Sequence, residues 1–370
     1  VAQLELAGPP SAAATVKTDY LTWTQYPFET EAAQFGGQLM RGEAALAESD
    51  FGAFVVGLVA PAEELAALSE SVFQPAVHAF VPPPLPTGAD LAAPYMDALL
   101  PTEERVEDLM SRMTLRDKIG QMTQVEKDSI FDADIGLLGI GSLLSGGGGS
   151  PADNTAEGWA KMVDGFQEYA MDGPLGIPLV YGVDAVHGHN NVRGATVFPH
   201  NVGLGAANDV ELMLRIGEVT ATEVAATGID WNFAPTVAVT QDIRWGRTYE
   251  SFGEDPNLVT PLAVAYMEGL QGDDLSDELT VLATPKHFVG DGGTTWGSAT
   301  TAGQLIDQGV TEVDEETLRA IHLPPYVEAV DRGAESVMVS YSSWNDTRMH
   351  AESYLIADVL KDELGFDGFV

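Results

Sequence analysis

Charged and ring-bearing side chains follow several short apolar runs of this chain, at the point where each run ends. In chain order they are Asp184 after IPLVYGV, Arg244 and Arg247 after FAPTVAV, Lys286 and His287 after LTVLATP, and Tyr341 after SVMVS. If the runs are parallel strands of a barrel, their carboxyl ends meet at one mouth and the side chains converge. A carboxylate that accepts and several cations that donate suit a ligand rich in hydroxyl groups, such as a sugar.

Each residue of this set also has a purely structural explanation. A single Asp after a strand often caps a helix or bonds to a loop. Arg247 can pair with the nearby Glu250 or Glu254. The hypothesis of a shared site therefore depends on the joint pattern of residues and not on any one of them.

Neighbouring histidines and tryptophans can likewise be explained either by a structural role or by a role in a binding site. His187 and His189 are interpreted as structural histidines, because no third ligand at a suitable spacing for a metal accompanies them. Trp245 and Trp344 are equally compatible with packing at the strand ends and with a platform for a sugar ring. We expect no metal site.

Apolar runs alternate with helical patterns through the last two thirds of the chain. The runs are LLGIGSLLS, IPLVYGVD, IDWNFAPTVAV, LTVLATPKHF, ESVMVSYSSW and FDGFV, and the helical patterns include GWAKMVDGFQEYAM, DVELMLRIGEVTATEVAATG, TLRAIHLPPYVEAVDRG and SYLIADVLKDELG. This order predicts an α/β fold, specifically a (β/α)8 barrel of the TIM type that is incomplete at the C-terminus. A doubly wound open sheet is the alternative, but the chain lacks a G-x-G-x-x-G turn.

The first part of the chain differs in composition from the rest. Residues 1–93 are rich in Ala, Pro and Glu and are interpreted as a separate N-terminal extension of unknown function, ending in the Pro-rich linker VPPPLPTG. Within the extension, FGAFVVGLV predicts a strand and PAEELAALSES a short helix. Residues 94–370 form the predicted barrel domain.

Two helix starts are readable at the beginning of that domain. A helix is predicted over Thr102–Arg112, with Thr102 as its N-cap and acidic residues in the first turn. A second helix is predicted to start at Thr114, because Asp117 stands three residues further on, as in a capping box.

Composition excludes several classes of function. The 56 acidic and 17 basic residues give a formal net charge of −39, which repels phosphate backbones and anionic membrane surfaces. We therefore expect no nucleic acid partner and no membrane partner. The chain has no cysteine, so disulfides and thiolate nucleophiles are excluded.

Five segments in chain order resemble successive blocks of glycoside hydrolase family 3. They are GVDAVHGHNNVRGATVFPHNVGLGA, FAPTVAVTQDIRWGRTYESFGEDP, KHFVGDGGT, MVSYSSWNDTRMH and LKDELGFDGFV, and the resemblance extends over residues 98–370. It implies a retaining, exo-acting β-glucosidase or exo-β-1,3(1,4)-glucanase that takes a β-glucoside or β-glucan oligosaccharide, needs no cofactor and is secreted or periplasmic. The alternatives are a β-xylosidase of the same family and a non-catalytic carbohydrate-binding fragment.

The resemblance also implies roles for individual residues. Asp184 binds the outer hydroxyls of the glucosyl unit, Arg247, Lys286 and His287 donate to the others, and Tyr341 stands beside the nucleophile. Gln308 is the candidate for a further substrate contact, after a loop that is longer than in relatives.

The catalytic groups themselves are not expected among these residues. The resemblance places the nucleophilic aspartate just after Val370 and the acid/base in a following α/β domain of the same parent chain. The hexosaminidase branch of the family carries a catalytic histidine where this chain has Asp291, which disfavours that branch. The resemblance further implies non-proline cis peptides between Lys286 and Val289.

Overall fold

A computed structural model describes residues 11–18, 21–31, 39–49, 52–79, 89–90, 92–147, 149–299, 301 and 303–370. The chain divides into two compact units, Val1–Thr87 and Gly88–Val370. The predicted Pro-rich linker, residues 81–88, lies outside the described residues.

The first unit contains an antiparallel meander followed by short helical segments. Its strands are β1 (Ala14–Lys17), β2 (Thr22–Glu31), β3 (Leu39–Ser49) and β4 (Gly52–Pro61), paired in chain order, and its helices are α1 (Leu65–Leu68), a π-helical turn (Ser69–Phe73) and α2 (Gln74–Ala79). Trp23 and Phe73 are buried in its core. The predicted strand and short helix correspond to β4 and α1, whereas β1 to β3 were not predicted, because they contain no continuous apolar run.

The second unit carries ten further strands and nine further α-helices within its described residues. The strands are β5 (Gln124–Glu126), β6 (Ser142–Ser145), β7 (Val180–Val183), β8 (Trp231–Asn232), β9 (Leu282–Ala283), β10 (Lys286–Phe288), β11 (Val310–Thr311), β12 (Met338–Val339), β13 (Ser343–Trp344) and β14 (Thr347–Arg348). The helices are α3 (Thr102–Arg112), α4 (Leu115–Gln121), α5 (Asp132–Leu138), α6 (Ala156–Met171), α7 (Asn201–Ala207), α8 (Val210–Ala225), α9 (Pro256–Gln271), α10 (Glu315–Ile321) and α11 (Pro324–Asp331), and a π-helical segment covers Tyr354–Glu363.

Parallel strands in chain order form the centre of this unit. Strands β5 to β9 pair successively in one parallel sheet, and β10 pairs in parallel with β12. A parallel bridge between Thr236 and Lys286 joins the segment after β8 to β10, and another joins Ser336 to Phe369. α-Helices lie between the successive strands of β5 to β9, so the predicted α/β fold with a parallel sheet is confirmed.

The helix starts agree with the prediction in position but not in every detail. Helix α3 has the predicted bounds, yet Pro101 and not Thr102 occupies its N-cap, without a side-chain hydrogen bond. Proline has a fixed φ and suits the start of a helix, so the helix begins directly after it. At Thr114 the predicted capping box with Asp117 is confirmed.

One predicted helix is divided in two. The pattern TLRAIHLPPYVEAVDRG predicts a single helix, but α10 ends at Ile321 and α11 begins at Pro324. Pro324 and Pro325 have no N–H to bond to the preceding turn, and their rings clash with its carbonyl groups. The prolines therefore start a second helix.

Helices α8 and α9 pack closely and reach the strand ends. A Cβ atom on Gly217 would lie 2.5 Å from the Tyr266 carbonyl oxygen, and one on Gly269 would lie 2.1 Å from the Leu214 carbonyl oxygen. Only glycine permits this approach. Tyr266 on α9 thereby extends its hydroxyl inward and donates to the carbonyl of Ala185, next to the end of β7, at 3.1 Å.

His189 is buried among the helices and is neutral. Its Nε2 lies 3.0 Å from Thr227 Oγ1, whose own hydrogen is donated to Val224 O, so Nε2 carries the proton. Its Nδ1 has no partner among the described residues, and the ring packs edge-on against Trp159. Burial lowers the pKa of His189 from 6.5 to about 4. These contacts agree with its interpretation as a structural histidine.

This depressed pKa predicts a loss of stability in mild acid. Between pH 6.5 and about pH 4, His189 is protonated in the unfolded state but not in the folded state, so the free energy of unfolding falls as the pH falls. From about pH 7 to about pH 5 His189 should contribute a loss of about 2 kcal/mol. Urea unfolding of the wild type and of His189→Gln, followed by tryptophan fluorescence at both pH values, measures this. The variant should lose less stability than the wild type, and an identical loss in both would contradict the assignment.

Candidate active site

An ion pair joins two strand ends that lie far apart in sequence. Asp184 directly follows β7, and Lys286 is the first residue of β10. Lys286 Nζ donates to Asp184 Oδ1 at 2.5 Å. The backbone of Lys286 is held by the segment after β8, since its N–H donates to Pro235 O at 3.0 Å and its carbonyl accepts from Val237 N at 2.8 Å.

The two partners of this ion pair differ in exposure. The Lys286 side chain is 3% exposed, whereas that of Asp184 is 48% exposed. Asp184 Oδ2 has no hydrogen-bond partner in the described part of the chain and is free to accept from a ligand. An ammonium has three donors, so Lys286 retains two beyond the one that it gives to Asp184. The ion pair thus presents to a ligand an acceptor, Asp184 Oδ2, next to the donors of the Lys286 ammonium.

Asn232 fixes the backbone next to Asp184. It is fully buried in β8, and its side chain accepts from Ala185 N at 3.0 Å and donates to Ala185 O at 3.1 Å. The hydroxyl of Tyr266 donates to the same carbonyl. Asn232 was not predicted as a site residue, although an amide inside the apolar run IDWNFAPTVAV is a signal that could have identified it.

A second group of polar residues holds Arg247, and we call it the Arg247 network: Asp291, His287, Arg247 and Glu250. Arg247 Nε and Nη2 donate to the two carboxylate oxygens of Glu250 at 2.8 and 2.6 Å. Its Nη1 lies 3.3 Å from His287 Nε2, and His287 Nδ1 lies 2.7 Å from Asp291 Oδ2. Arg247 is therefore held on two sides.

The chemistry of these partners fixes the protonation of His287. The Asp291 carboxylate only accepts, so Nδ1 carries the proton and Nε2 accepts from the Arg247 guanidinium. Burial lowers the pKa of His287, and although Asp291 opposes this, Arg247 and Lys286 add to it, which favours the neutral ring. Both ring nitrogens of His287 are engaged by these protein partners, and its direct contact with a ligand stays a prediction.

Glu250 and Arg247 remain charged despite their burial. Burial favours the neutral carboxyl of Glu250, but the hydrogen bonds and charge of Arg247 outweigh it and lower the pKa of Glu250 below its ordinary value. Burial likewise opposes the charge of Arg247, while Glu250 raises its pKa. Glu250 and Asp291 were not among the predicted site residues; the only signal for Glu250 was its spacing from Arg247.

Two further predicted residues have contacts elsewhere. Tyr341 follows β12 at the same strand edge, but the residue is 60% exposed and its ring contacts His350 and the Arg348 guanidinium. Gln308 has a positive φ of 58°, and its Oε1 accepts from Thr301 Oγ1 at 2.9 Å. Neither residue has a described contact with the ion pair or with the Arg247 network.

The two candidate tryptophans are packing residues. Trp245 is 3% exposed and donates to Asp307 Oδ1 at 2.7 Å, and Trp344 donates to Val313 O at 2.9 Å. In this region the peptide bonds Lys286–His287 and Phe288–Val289 are cis, so the cis peptides implied by the resemblance are confirmed.

Other site types find no support in the described residues. Within them, no group of three or more histidine, aspartate or glutamate side chains is arranged to hold a metal ion. Nor does that part of the chain contain a helix long and apolar enough to cross a bilayer. What the geometry does present is a half-exposed carboxylate paired with a buried ammonium, followed in the chain by a histidine that contacts a fixed guanidinium. Such donors and acceptors can bind several hydroxyl groups.

Comparison with known proteins gives one consistent result. The family described as "Glycosyl hydrolase family 3 N terminal domain" matches residues 114–370. The periplasmic beta-glucosidase of Salmonella typhimurium is 31% identical over 71% of this chain and 32% of its own length. A beta-xylosidase of Formosa agariphila is 36% identical over 57% of this chain and 29% of its own length.

A solved structure agrees with these relatives. The exo-1,3/1,4-beta-glucanase of a Pseudoalteromonas species is 48% identical with a TM-score of 0.67, covering 72% of this chain and 34% of that protein. The match thus covers about a third of the length of each of these three proteins. Since the family match extends over more than half of the chain, the chain belongs to glycoside hydrolase family 3 through the N-terminal domain of that family.

Proposed function

We propose that this protein is a retaining, exo-acting β-glucosidase or exo-β-1,3(1,4)-glucanase. The ion pair of Asp184 and Lys286 next to the Arg247 network is the observation that carries the proposal. The names of a beta-glucosidase and an exo-glucanase among the relatives support it. We also propose that the parallel strands belong to a (β/α)8 barrel, whose mouth collects these residues.

Each side chain has a role in binding the terminal glucosyl unit. Asp184 accepts hydroxyl protons in charge-assisted bonds, while Lys286 and Arg247 donate to neighbouring sugar oxygens. His287, Glu250 and Asp291 keep Arg247 in place. Hydroxyl contacts that tighten as the ring flattens towards an oxocarbenium ion lower the barrier to cleavage.

The covalent step needs a carboxylate nucleophile and a carboxylic acid about 5 Å apart. We assign neither group to the 370 residues, because the family resemblance implies a nucleophile after Val370 and an acid/base in a following α/β domain. The residues described above therefore bind and orient the sugar. Secretion or a periplasmic location is part of the proposal, supported by the name of the Salmonella relative.

A β-xylosidase is the second candidate, favoured by the Formosa relative. Xylose lacks the exocyclic hydroxymethyl group of glucose, so the two activities are separable by substrate. The full-length gene product should be assayed on 4-nitrophenyl β-glucoside and β-xyloside, and glucose binding to the 370-residue chain should be measured by calorimetry. Preference for the glucoside supports the proposal, and preference for the xyloside favours the second candidate. Binding of glucose without hydrolysis of either substrate would instead indicate a non-catalytic carbohydrate-binding protein.

Removing the carboxylate of Asp184 should weaken catalysis. In Asp184→Ala of the full-length gene product, sugar hydroxyls lose a charged acceptor, a loss of about 1.5–3 kcal/mol. We expect kcat/KM on the β-glucoside to fall at least about tenfold. Asp172→Ala changes an exposed aspartate at the end of α6 and should leave kcat/KM unchanged. Equal values for Asp184→Ala and the wild type would assign Asp184 to loop structure.

Releasing Arg247 should also lower the rate. Glu250→Gln keeps the shape of the side chain but replaces one acceptor oxygen by an NH2 group that faces a guanidinium donor. We expect kcat/KM to fall at least about tenfold, mostly through kcat, because the Arg247 guanidinium is no longer held in the position from which it donates to the sugar in the transition state.

Glu254→Gln provides the matched control for that variant. Glu254 is exposed and lies in the same segment, but its side chain has no described hydrogen bond to Arg247. Steady-state kinetics and thermal unfolding should be measured for both variants. A loss of stability in Glu250→Gln with unchanged kcat would make Glu250 a structural partner only.

A further inference from the structure

Trp296 is a partly exposed indole that charged side chains hold in place. It is 43% exposed, and the Arg244 guanidinium carbon lies 4.3 Å from the centre of its ring. Asp242 fixes that guanidinium, accepting from Nε at 2.9 Å and from Nη2 at 2.5 Å, and also from the Arg244 backbone N–H at 2.9 Å. The indole N–H has no hydrogen-bond partner among the described residues. The three side chains are thus preorganised at the surface.

This arrangement lies close to the candidate active site. Arg244 precedes Arg247 by three residues, so their Cα atoms are at most about 11 Å apart. Trp296 follows Asp291 of the Arg247 network in the loop after β10, and Gln241 N donates to Gly292 O at 2.8 Å, which joins that loop to the one that carries Arg244. The two joined loops that carry Arg244 and Trp296 therefore also carry Arg247 and Asp291 of the Arg247 network.

Its chemistry matches a second sugar unit. The hydroxyl groups of β-glucose are equatorial, so each face of the ring presents C–H groups that pack on the electron-rich face of an aromatic ring. Meanwhile the indole N–H, the exposed part of Arg244 and Asp242 can bond to hydroxyls at the rim of the sugar. Trp245 and Trp344 do not offer this, because they are packed and their N–H groups are already bonded.

We propose that Trp296, backed by Arg244 and Asp242, binds the glucosyl unit on the leaving-group side of the bond that is cleaved. The inference rests on the proposed function, because an exo-acting enzyme holds the terminal glucosyl unit at Asp184 and the rest of the chain beyond it. Trp296 thereby selects a glucan over a glucoside with a small leaving group.

The test compares two substrates that differ only on the leaving-group side. β-Glucosyl fluoride occupies the terminal glucosyl site alone, whereas laminaribiose also fills the site assigned to Trp296. Trp296→Leu fills space without a flat ring, and Trp296→Phe restores a ring. In the full-length gene product, Trp296→Leu should lower kcat/KM on laminaribiose by about fivefold or more and leave the value on the fluoride unchanged, while Trp296→Phe recovers most of the loss.

Tyr169→Ala is the matched control, an exposed aromatic residue on the last turn of α6, away from the strand ends. It should keep the wild-type ratio of the two kcat/KM values. If the wild type hydrolyses neither substrate, the proposed function fails. If it hydrolyses both and Trp296→Leu keeps the wild-type ratio, or loses activity equally on both, only the role of Trp296 is overturned.

Discussion

A charged amine that is removed from water needs a counter-charge nearby, and the site of this protein is arranged around that requirement at Lys286. Desolvation of an ion costs several kcal/mol, so a side chain that is only 3% exposed must have a partner. Asp184 supplies the charge, which requires the end of β7 and the start of β10 to stay adjacent. Asn232 and Tyr266 form hydrogen bonds with the backbone of Ala185 and so hold the end of β7 in place. The segment after β8 forms hydrogen bonds with the backbone of Lys286 and so holds the start of β10.

The Arg247 network also balances a charge that is partly removed from water, and it does so with more residues than the ion pair of Asp184 and Lys286. Glu250 carries the opposite charge, and a neutral His287 fills the remaining side of the guanidinium without adding a second positive charge next to Lys286. Asp291 stabilises the required tautomer. The position that holds a catalytic histidine in the hexosaminidase branch is thus occupied by a carboxylate that serves a neighbouring ring. Each cation of the site is thus balanced by a carboxylate, Lys286 by Asp184 and Arg247 by Glu250.

Much of the fold was predictable because it depends on local pattern. Alternating apolar runs and helical periodicity indicated parallel strands with intervening helices, and the capping box at Thr114 has the geometry that its spacing predicts. The misjudged elements are those in which one residue overrides the pattern. Pro324 divides a periodic stretch into two helices, and Pro101 takes the cap position that was assigned to Thr102. Strands β1 to β3 lack a continuous apolar run and left no comparable signal.

The sequence by itself determined the family, through five long segments in order, and the strand-end position of the charged residues. The tertiary structure decided which of them meet: Lys286 pairs with Asp184, 102 positions away, and Arg247 pairs with Glu250 and not with Glu254. It also decided that the ring nitrogens of His287 are already engaged. Spacing restricts which residues can share a strand edge, but hydrogen bonds form only where side chains converge in space, and that depends on the packing of distant segments.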